Sequence, residues 1–495
     1  MRLEFGRLSS AGKVAPETKM LFQSMFMLFE LLVSVFMEKM TRKNAKNSSM
    51  PSSQTDKDES AQPGKGSQSR GKQEEENRYA NSRTVESIEV SKVVSCAKCG
   101  ENLRGVPCTG HERRTKIDIV FEKVVEHVDA EIKSCPNCAA EVKGGFPQEL
   151  HGPLQYGDGI KAYLINLTMA QMVALARSQK MIKTLIGVNI SESTILGYVM
   201  QLYNALEPWE ISVKEALRKS PAMNCDETSL LVARKNQWVH GYSAGELTLK
   251  CLHPKRGTEA ADEIDILPRY RGVAVHDCWA PYFSYTECRH ALCGSHLLRE
   301  LAFVIESNGY AWAKNMKRLL QQTCKTISTR ESKKLTSAEY LRLQKRYRAI
   351  LARGDDQLPE IQPRTEGKRG RLAKSDAHNL WERFKEHEAA VLLFAKESCV
   401  PFTNNRAERD LRMDKVKQKV SGCFRTEAFA KAYCRISSYL ATMAMANRGY
   451  NPLIAIQLAL NGKAPLEGGE YLPIINLLIG GCPIICYTII WGIVS

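Results

Sequence analysis

The segment that organises this chain reads Pro401-Phe-Thr-Asn-Asn-Arg-Ala-Glu-Arg-Asp-Leu-Arg412. Asn404 or Asn405 is a good helix N-cap, and the apolar periodicity that follows predicts a helix with Glu408 in its first turn. A carboxylate among so many cations suits a metal ion beside a phosphate backbone. The same spacing also fits a capping box from Asn405 to Glu408 and an ion pair from Glu408 to Arg412, so the segment alone leaves both interpretations open.

Two aspartates far upstream favour the metal interpretation. Ala222-Met-Asn-Cys-Asp226 predicts a short strand that ends in a carboxylate, and Val273-Ala-Val-His-Asp277 predicts a buried strand that ends in another. The other predicted elements are a hairpin from 238–242 and 247–252, a helix over 259–267, a strand over 289–293 and a helix that includes 296–304. This order is that of an α/β core of RNase H-like type, which would place Asp226 and Asp277 on neighbouring strands.

Asp226, Asp277 and Glu408 would together suit a pair of Mg²⁺ (or Mn²⁺) ions, about 3.5–4 Å apart, at a phosphodiester. For either aspartate alone, a turn residue at a strand end is the plainer interpretation, and only the trio favours catalysis. The residues predicted to contact DNA phosphates are Arg409, Arg412, Lys415, Lys417, Lys419 and His276. The alternatives are a solvated helix face for the cations and a hydrogen-bonded core residue for the histidine.

Composition points to an anionic partner. The 495 residues carry a formal net charge of +16, and nucleic acid is favoured over a membrane surface because the charge is spread widely. The 16 cysteines form no compact framework of the kind found in small secreted domains. With no convincing cleavable signal, we expect reduced thiols and a cytoplasmic protein.

Two CxxC pairs, Cys96/Cys99 and Cys135/Cys138, are the most specific local signal. Four thiolates suit tetrahedral Zn²⁺, and structural zinc is favoured over a redox pair. The gap between the pairs exceeds the usual spacing, so we expect a hairpin from strands near 117–121 and 124–132 to bring them together.

The remaining segments are assigned from composition and periodicity. Residues 160–186 predict a long helix that ends at Gly187, and Ser191 predicts the cap of a second, which together resemble a helix-turn-helix; ordinary helical packing is equally open. Residues 305–400 predict a helical insertion that splits the α/β core. We divide the chain into an apolar self-association helix (1–40), a disordered polar linker (41–90), a zinc-binding domain (91–145), a helical DNA-binding region (146–220), the first part of the catalytic core (221–304), the helical insertion (305–400), the second part of the core (401–465) and an apolar tail (466–495).

These motifs together resemble IS66-type transposases, of the DDE superfamily, over roughly residues 41 to 463. They are the CxxC pairs, Asn47-Ser-Ser-Met-Pro-Ser-Ser, Cys225-Asp-Glu-Thr, His276-Asp-Cys-Trp-Ala-Pro-Tyr-Phe, Arg289-His-Ala-Leu-Cys-Gly-Ser-His-Leu-Leu-Arg-Glu and Asn404-Asn-Arg-Ala-Glu-Arg. The resemblance implies that Asp226, Asp277 and Glu408 are an acidic triad in an RNase H-like domain. It also implies cleavage and joining of DNA strands at the inverted-repeat ends of a mobile element, with target DNA as the second substrate. The N-terminal helix departs in detail from the family's leucine-rich segment, and the apolar tail is not part of the pattern.

We further expect a bacterial, nucleoid-associated homo-oligomer that works with accessory proteins of the same element. The alternative from a different class is a zinc-containing DNA-binding regulator, or a catalytically inactive transposase remnant. The two apolar ends raise a third alternative, a membrane anchor. Glu30 and the short apolar stretch weigh against it at the N-terminus, and the prolines and glycines near 473–483 weigh against it in the tail.

Overall fold

A computed structural model describes residues 89–116, 119, 121–359, 374–445 and 449–465, together with Met25, Val33 and Met37. Apart from those three residues, the predicted self-association helix lies outside the described residues, as do almost all of the polar linker and the apolar tail. Among the helices that the structure describes, none is long and apolar enough to span a bilayer.

A five-stranded mixed sheet forms the centre of the fold, in the order β5-β4-β3-β6-β7. The strands β3, β4 and β5 pair antiparallel, whereas β6 runs parallel to β3 and β7 runs parallel to β6. A separate two-stranded sheet, β1-β2, precedes it. The strands are β1 (Ile132–Ser134), β2 (Glu141–Lys143), β3 (Ala222–Val232), β4 (Lys235–Ala244), β5 (Leu247–His253), β6 (Val273–His276) and β7 (Arg289–Leu292).

Helices cover the sheet and fill the space before and after it. Of the described helices, the first four precede β3, and five lie between the last strand, β7, and the helix that carries Glu408. The helices are α1 (Asp158–Ile165), α2 (Leu175–Ile186), α3 (Glu192–Ala205), α4 (Glu207–Arg218), α5 (Thr258–Ile264), α6 (Gly294–Asn308), α7 (Ala311–Ser328), α8 (Ser337–Asp355), α9 (Asp376–Glu386), α10 (Glu388–Lys396), α11 (Asn405–Ser421), α12 (Glu427–Met443) and α13 (Pro452–Leu460).

Along β6, the two faces of the sheet pack against different hydrophobic cores. Successive strand residues point to opposite faces, so Val273 and Val275 of β6 join a core built with α6 to α10, and Ala274 joins the other. The core that Ala274 joins combines β3, β4 and β5 with helices that precede β3 and helices that follow α10, through residues such as Trp209 and Tyr439. The predicted helical insertion therefore supplies most of one core.

Three sequence predictions need correction. Asp226 does not end a strand, because β3 continues to Val232 through its long antiparallel pairing with β4. The predicted helix over 160–186 is two helices, separated by a π-helical turn over Asn166–Ala170 and a break before α2. Residues 121–131 have no regular secondary structure, and the small hairpin instead brackets the second CxxC pair.

Candidate functional site

The parallel pairing of β3 and β6 aligns the two aspartates. Asn224 lies opposite Val275 in the register, so Asp226 and Asp277 are each two residues further along neighbouring strands. Because side chains alternate along a strand, Asn224 and Asp226 share one face of the sheet. Helix α11 packs on this face.

Buried polar contacts fix the start of α11. Asn404, the N-cap residue, makes no side-chain cap bond; its Oδ1 accepts from Asn224 Nδ2 at 2.8 Å and its Nδ2 donates to the Cys225 carbonyl at 2.7 Å. Asn404 therefore occupies the predicted N-cap position, but its side chain ties α11 to β3 instead of capping the helix. This tie sets Glu408, one turn into α11, above the strand that carries Asp226.

A glycine lets α11 approach the sheet closely. Gly241 lies opposite Asp226 on β4, and a Cβ built on it would come within 3.0 Å of the Leu411 side chain. A Cβ at this position would require the Leu411 side chain to shift by a few tenths of an ångström, so α11 packs at this distance because residue 241 has no side chain.

The other two predicted carboxylates influence Asp226 electrostatically. Burial raises the pKa of Asp226 well above its usual value, and the charges of Glu227, Asp277 and Glu408 raise it further. Burial also raises the pKa of Asp277 to about 6, although the Trp279 backbone N–H, which donates to its Oδ1 at 3.0 Å, opposes the shift. Crowded carboxylates that resist ionisation are a site for which a cation would supply the missing charge.

Glu227, which adjoins Asp226 on β3, is a fourth carboxylate at the site, and it is buried. Its Oε1 accepts from Arg256 Nη2 at 2.6 Å and its Oε2 accepts from the Tyr282 hydroxyl at 2.5 Å. The Arg256 guanidinium also lies over the Trp279 ring, 4.2 Å from its centroid. Sequence reasoning missed Arg256 and Tyr282; the acid adjoining Asp226 was the only signal of a neighbouring ion pair.

Glu408 faces two residues at the start of α6. Its Oε1 lies 3.8 Å from Cys293 Sγ and 3.4 Å from His296 Nδ1. The Cys293 Sγ also accepts from the Asn404 backbone N–H at 3.1 Å. Burial lowers the pKa of His296 to about 4, so the imidazole is neutral near pH 7 and its contact with Glu408 is not an ion pair.

His276 is not available to contact DNA, contrary to the sequence prediction. Its side chain is fully buried; the ring lies 3.0 Å from His290, between Nε2 and Nδ1, and stacks on Tyr282. Burial lowers its pKa to about 3, so it carries no charge near neutral pH. It packs beneath Asp277 as a core residue.

The predicted cationic set on α11 divides into exposed and buried members. Arg409, Arg412 and Lys419 are exposed. Lys415 is half-buried and donates to Ser229 Oγ at 2.7 Å, whereas Lys417 is buried and donates to the Thr168 carbonyl at 2.9 Å. Lys417 is therefore a packing residue, and the prediction that it contacts phosphate was wrong.

Both CxxC pairs form the same turn, with a hydrogen bond between their two thiols. Backbone N–H groups lower the pKa of Cys96 and Cys135, which favours the thiolate that binds metal. Within the described residues, no group of metal-ligating side chains with donor atoms within 4.8 Å of one another contains both pairs. The four-thiolate zinc site, with Cys99 and Cys138 as its other ligands, thus stays a prediction.

Comparison with known proteins identifies the family of the chain. The model of the transposase IS66 family matches residues 153–432, which is more than half of the 495 residues and includes both aspartates and Glu408. No curated protein matches the chain. The mixed α/β fold with a central sheet is compatible with a DDE-type transposase core. The chain therefore belongs to the IS66 transposase family.

Proposed function

We propose that this protein is a DNA transposase of an insertion sequence, which cleaves and joins phosphodiester bonds at the ends of the element through Asp226, Asp277 and Glu408. The observation that carries the proposal is the parallel register of β3 and β6, which puts Asp226 on β3 beside Asp277 at the end of β6, on the strand to which Asn404 ties the start of α11. The charges of Asp277 and Glu408 both raise the pKa of Asp226, which supports a grouping of the three carboxylates.

The strand arrangement supports an RNase H-like catalytic core. Three antiparallel strands form one side of the sheet, two parallel strands the other, and β3 lies at the centre with Asp226 on it. Helix α11, which follows the long helical segment in the sequence, packs on the face of the sheet that carries Asp226. Because the helical insertion lies between the sheet and α11 in the sequence, Glu408 reaches a site whose other members precede it by more than 130 residues.

The donor set fits magnesium or manganese. Carboxylate oxygens are the hard ligands that these ions take, and Asp226, Asp277 and Glu408 would hold them. A bound pair of such ions supplies charge neutralisation and activation of the attacking water or 3′-hydroxyl. The protein's own contribution is positioning: the Glu227 and Trp279 backbone N–H groups orient the aspartates at 2.9 and 3.0 Å, and Asn404 orients α11.

The exposed cations of α11 are proposed to follow the DNA backbone beside this site. Arg409 and Arg412 lie within one turn of Glu408, on the solvent side of the helix, and Lys419 extends the row. Contacts of this kind give salt-sensitive affinity with little sequence preference. Recognition of the element ends would then rest with the preceding helical region and the predicted zinc domain.

Cleavage of DNA that carries the element's own ends tests the proposal. The full chain with Mg²⁺ should nick this DNA, and Asp226→Asn, Asp277→Asn and Glu408→Gln should each abolish nicking while retaining DNA binding. Glu259→Gln, at an exposed acid on α5, is the matched control and should cleave normally. DNA binding without cleavage in the wild type, unchanged by Asp277→Ala, would instead identify a DNA-binding regulator.

A further inference from the structure

A thiol, an imidazole and a carboxylate, which are three potential metal ligands, meet beside the two aspartates. Cys293, His296 and Glu408 each offer one donor atom, and these atoms lie within 4.8 Å of one another. Cys293 is the N-cap of α6 and His296 lies in its first turn, so their spacing of three residues places both side chains on one side of the helix start. Glu408 comes from the first turn of α11, which begins against the same point.

One buried polar atom of this group has no hydrogen bond to any described residue of the protein. Within the part of the chain that the structure describes, the buried His296 Nδ1 has no hydrogen-bond partner, and its distance to Glu408 Oε1 is 3.4 Å. The Cys293 Sγ receives the Asn404 backbone N–H at 3.1 Å, so the start of α11 is held against the sulfur as well as carrying Glu408. Buried polar atoms without partners are uncommon, and a ligand that binds them accounts for their retention.

The ligand types select the metal. A thiolate, an imidazole and a carboxylate are the donors that Zn²⁺ takes in three-ligand sites, with the fourth position open to water. Mg²⁺ takes oxygen ligands and would leave the sulfur and nitrogen unused. The group thus differs in chemistry from the all-carboxylate site that it adjoins, and the two share only Glu408.

We propose that Cys293, His296 and Glu408 form a Zn²⁺ site in which zinc competes with the catalytic role of Glu408. The competition rests on the proposed function; the binding of zinc does not. Zinc binding displaces the thiol proton of Cys293 and draws the Glu408 carboxylate towards α6. Zinc therefore inhibits Mg²⁺-dependent cleavage by removing one carboxylate from the catalytic set.

Binding is tested with Co²⁺ as a spectroscopic substitute for zinc, on the full-length protein. We expect Cys293→Ser and His296→Gln each to lower the number of tetrahedral, thiolate-bound Co²⁺ ions by one per chain. The matched control is Cys288→Ser, at a buried cysteine whose Sγ donates to the Tyr285 carbonyl, and it should retain the wild-type number. Thermal unfolding of each variant identifies any that fails to fold. Glu408→Gln, at a partly exposed side chain, gives an independent test. It should weaken the affinity for the tetrahedral Co²⁺ ion about tenfold or more. An unchanged Co²⁺ number in all three variants would overturn the site.

Competition is tested by adding Zn²⁺ to cleavage reactions at fixed Mg²⁺. The zinc concentration that halves cleavage should rise about tenfold or more in Cys293→Ser relative to Cys288→Ser. Equal inhibition of the two variants would show that zinc acts elsewhere and would overturn the competition. Absence of cleavage without zinc would refute the proposed function, while the cobalt count would still decide whether the site exists.

Discussion

A buried ion pair holds the helix that carries Glu408 onto the sheet. Lys250 of β5 donates to Asp414 Oδ1 of α11 at 2.8 Å, and the Tyr433 hydroxyl donates to the same oxygen at 3.0 Å. The side chains of the lysine and the aspartate are 3% and 0% exposed. Burial raises the pKa of Asp414 even though the Lys250 charge opposes the shift, so the carboxylate depends on this partner to remain charged.

We predict that Lys250→Met destabilises the protein by about 3–5 kcal/mol. The methionine fills the same space, so the cost comes from leaving Asp414 buried without its cation. The second carboxylate oxygen, Oδ2, already lacks a hydrogen-bond partner among the described residues and can offset none of this loss. The double variant Lys250→Met/Asp414→Leu removes both charges, so we expect it to recover most of the lost free energy of unfolding.

Urea unfolding at about pH 7, followed by circular dichroism, measures these differences. The matched control is Lys431→Met, which breaks the exposed ion pair between Lys431 and Glu427, whose side chains are 48% and 49% exposed. Exposed pairs contribute at most about 1 kcal/mol, so the control should change little. A loss below about 1 kcal/mol for Lys250→Met, or no recovery in the double variant, would refute this account of how α11 is held.

Three further predictions concern the site and its surroundings. In metal-free protein, Asp277→Asn should raise the free energy of unfolding by up to about 3 kcal/mol above about pH 6 but not below about pH 4. The pKa of Asp277 is about 6 in the folded protein and 3.8 in the unfolded chain, so the wild type loses stability as pH rises between these values. Urea titrations of both proteins at both pH values, in a chelator, check this. Gly294→Ala should cost about 1–3 kcal/mol in thermal unfolding, because its Cβ would lie 2.3 Å from the Phe402 ring, and an unchanged midpoint would contradict this packing. Arg412→Ala should reduce the salt dependence of DNA binding by about one phosphate contact, whereas Lys417→Met should leave that slope unchanged and lower stability instead; equal slopes in the two variants would reject this division of the cations.

The order of strands along residues 222–292 could be predicted from the sequence because each contains a short apolar run close to turn residues. The hairpin around Gly245 and the buried strand before Asp277 are such runs, and the structure has both. The helix start at Ser191 was equally visible, since the serine side chain accepts from the Thr194 backbone N–H as the prediction requires. Local patterns therefore gave the elements that position the site.

The environment of charged residues could not be predicted, because it depends on partners distant in sequence. The buried face of α11 consists of Ala407, Leu411, Asp414 and Lys417, a helical spacing in which half of the residues are charged. Such a face resembles a solvated one until Lys250 is known to lie opposite it. His276 was misread for a related reason: every residue of β6 is buried, so the strand lacks the alternation that separates core from surface.

The central claim, that the three carboxylates form one metal site, is tested most directly by counting bound Mn²⁺ with electron paramagnetic resonance on the protein–DNA complex. Asp226 lies on β3, and the charges of Asp277 and Glu408 raise its pKa. We predict that Asp226→Asn binds fewer Mn²⁺ ions than the wild type, while Glu259→Gln binds the wild-type number. An Asp226→Asn complex with the full wild-type number of Mn²⁺ ions would contradict the account.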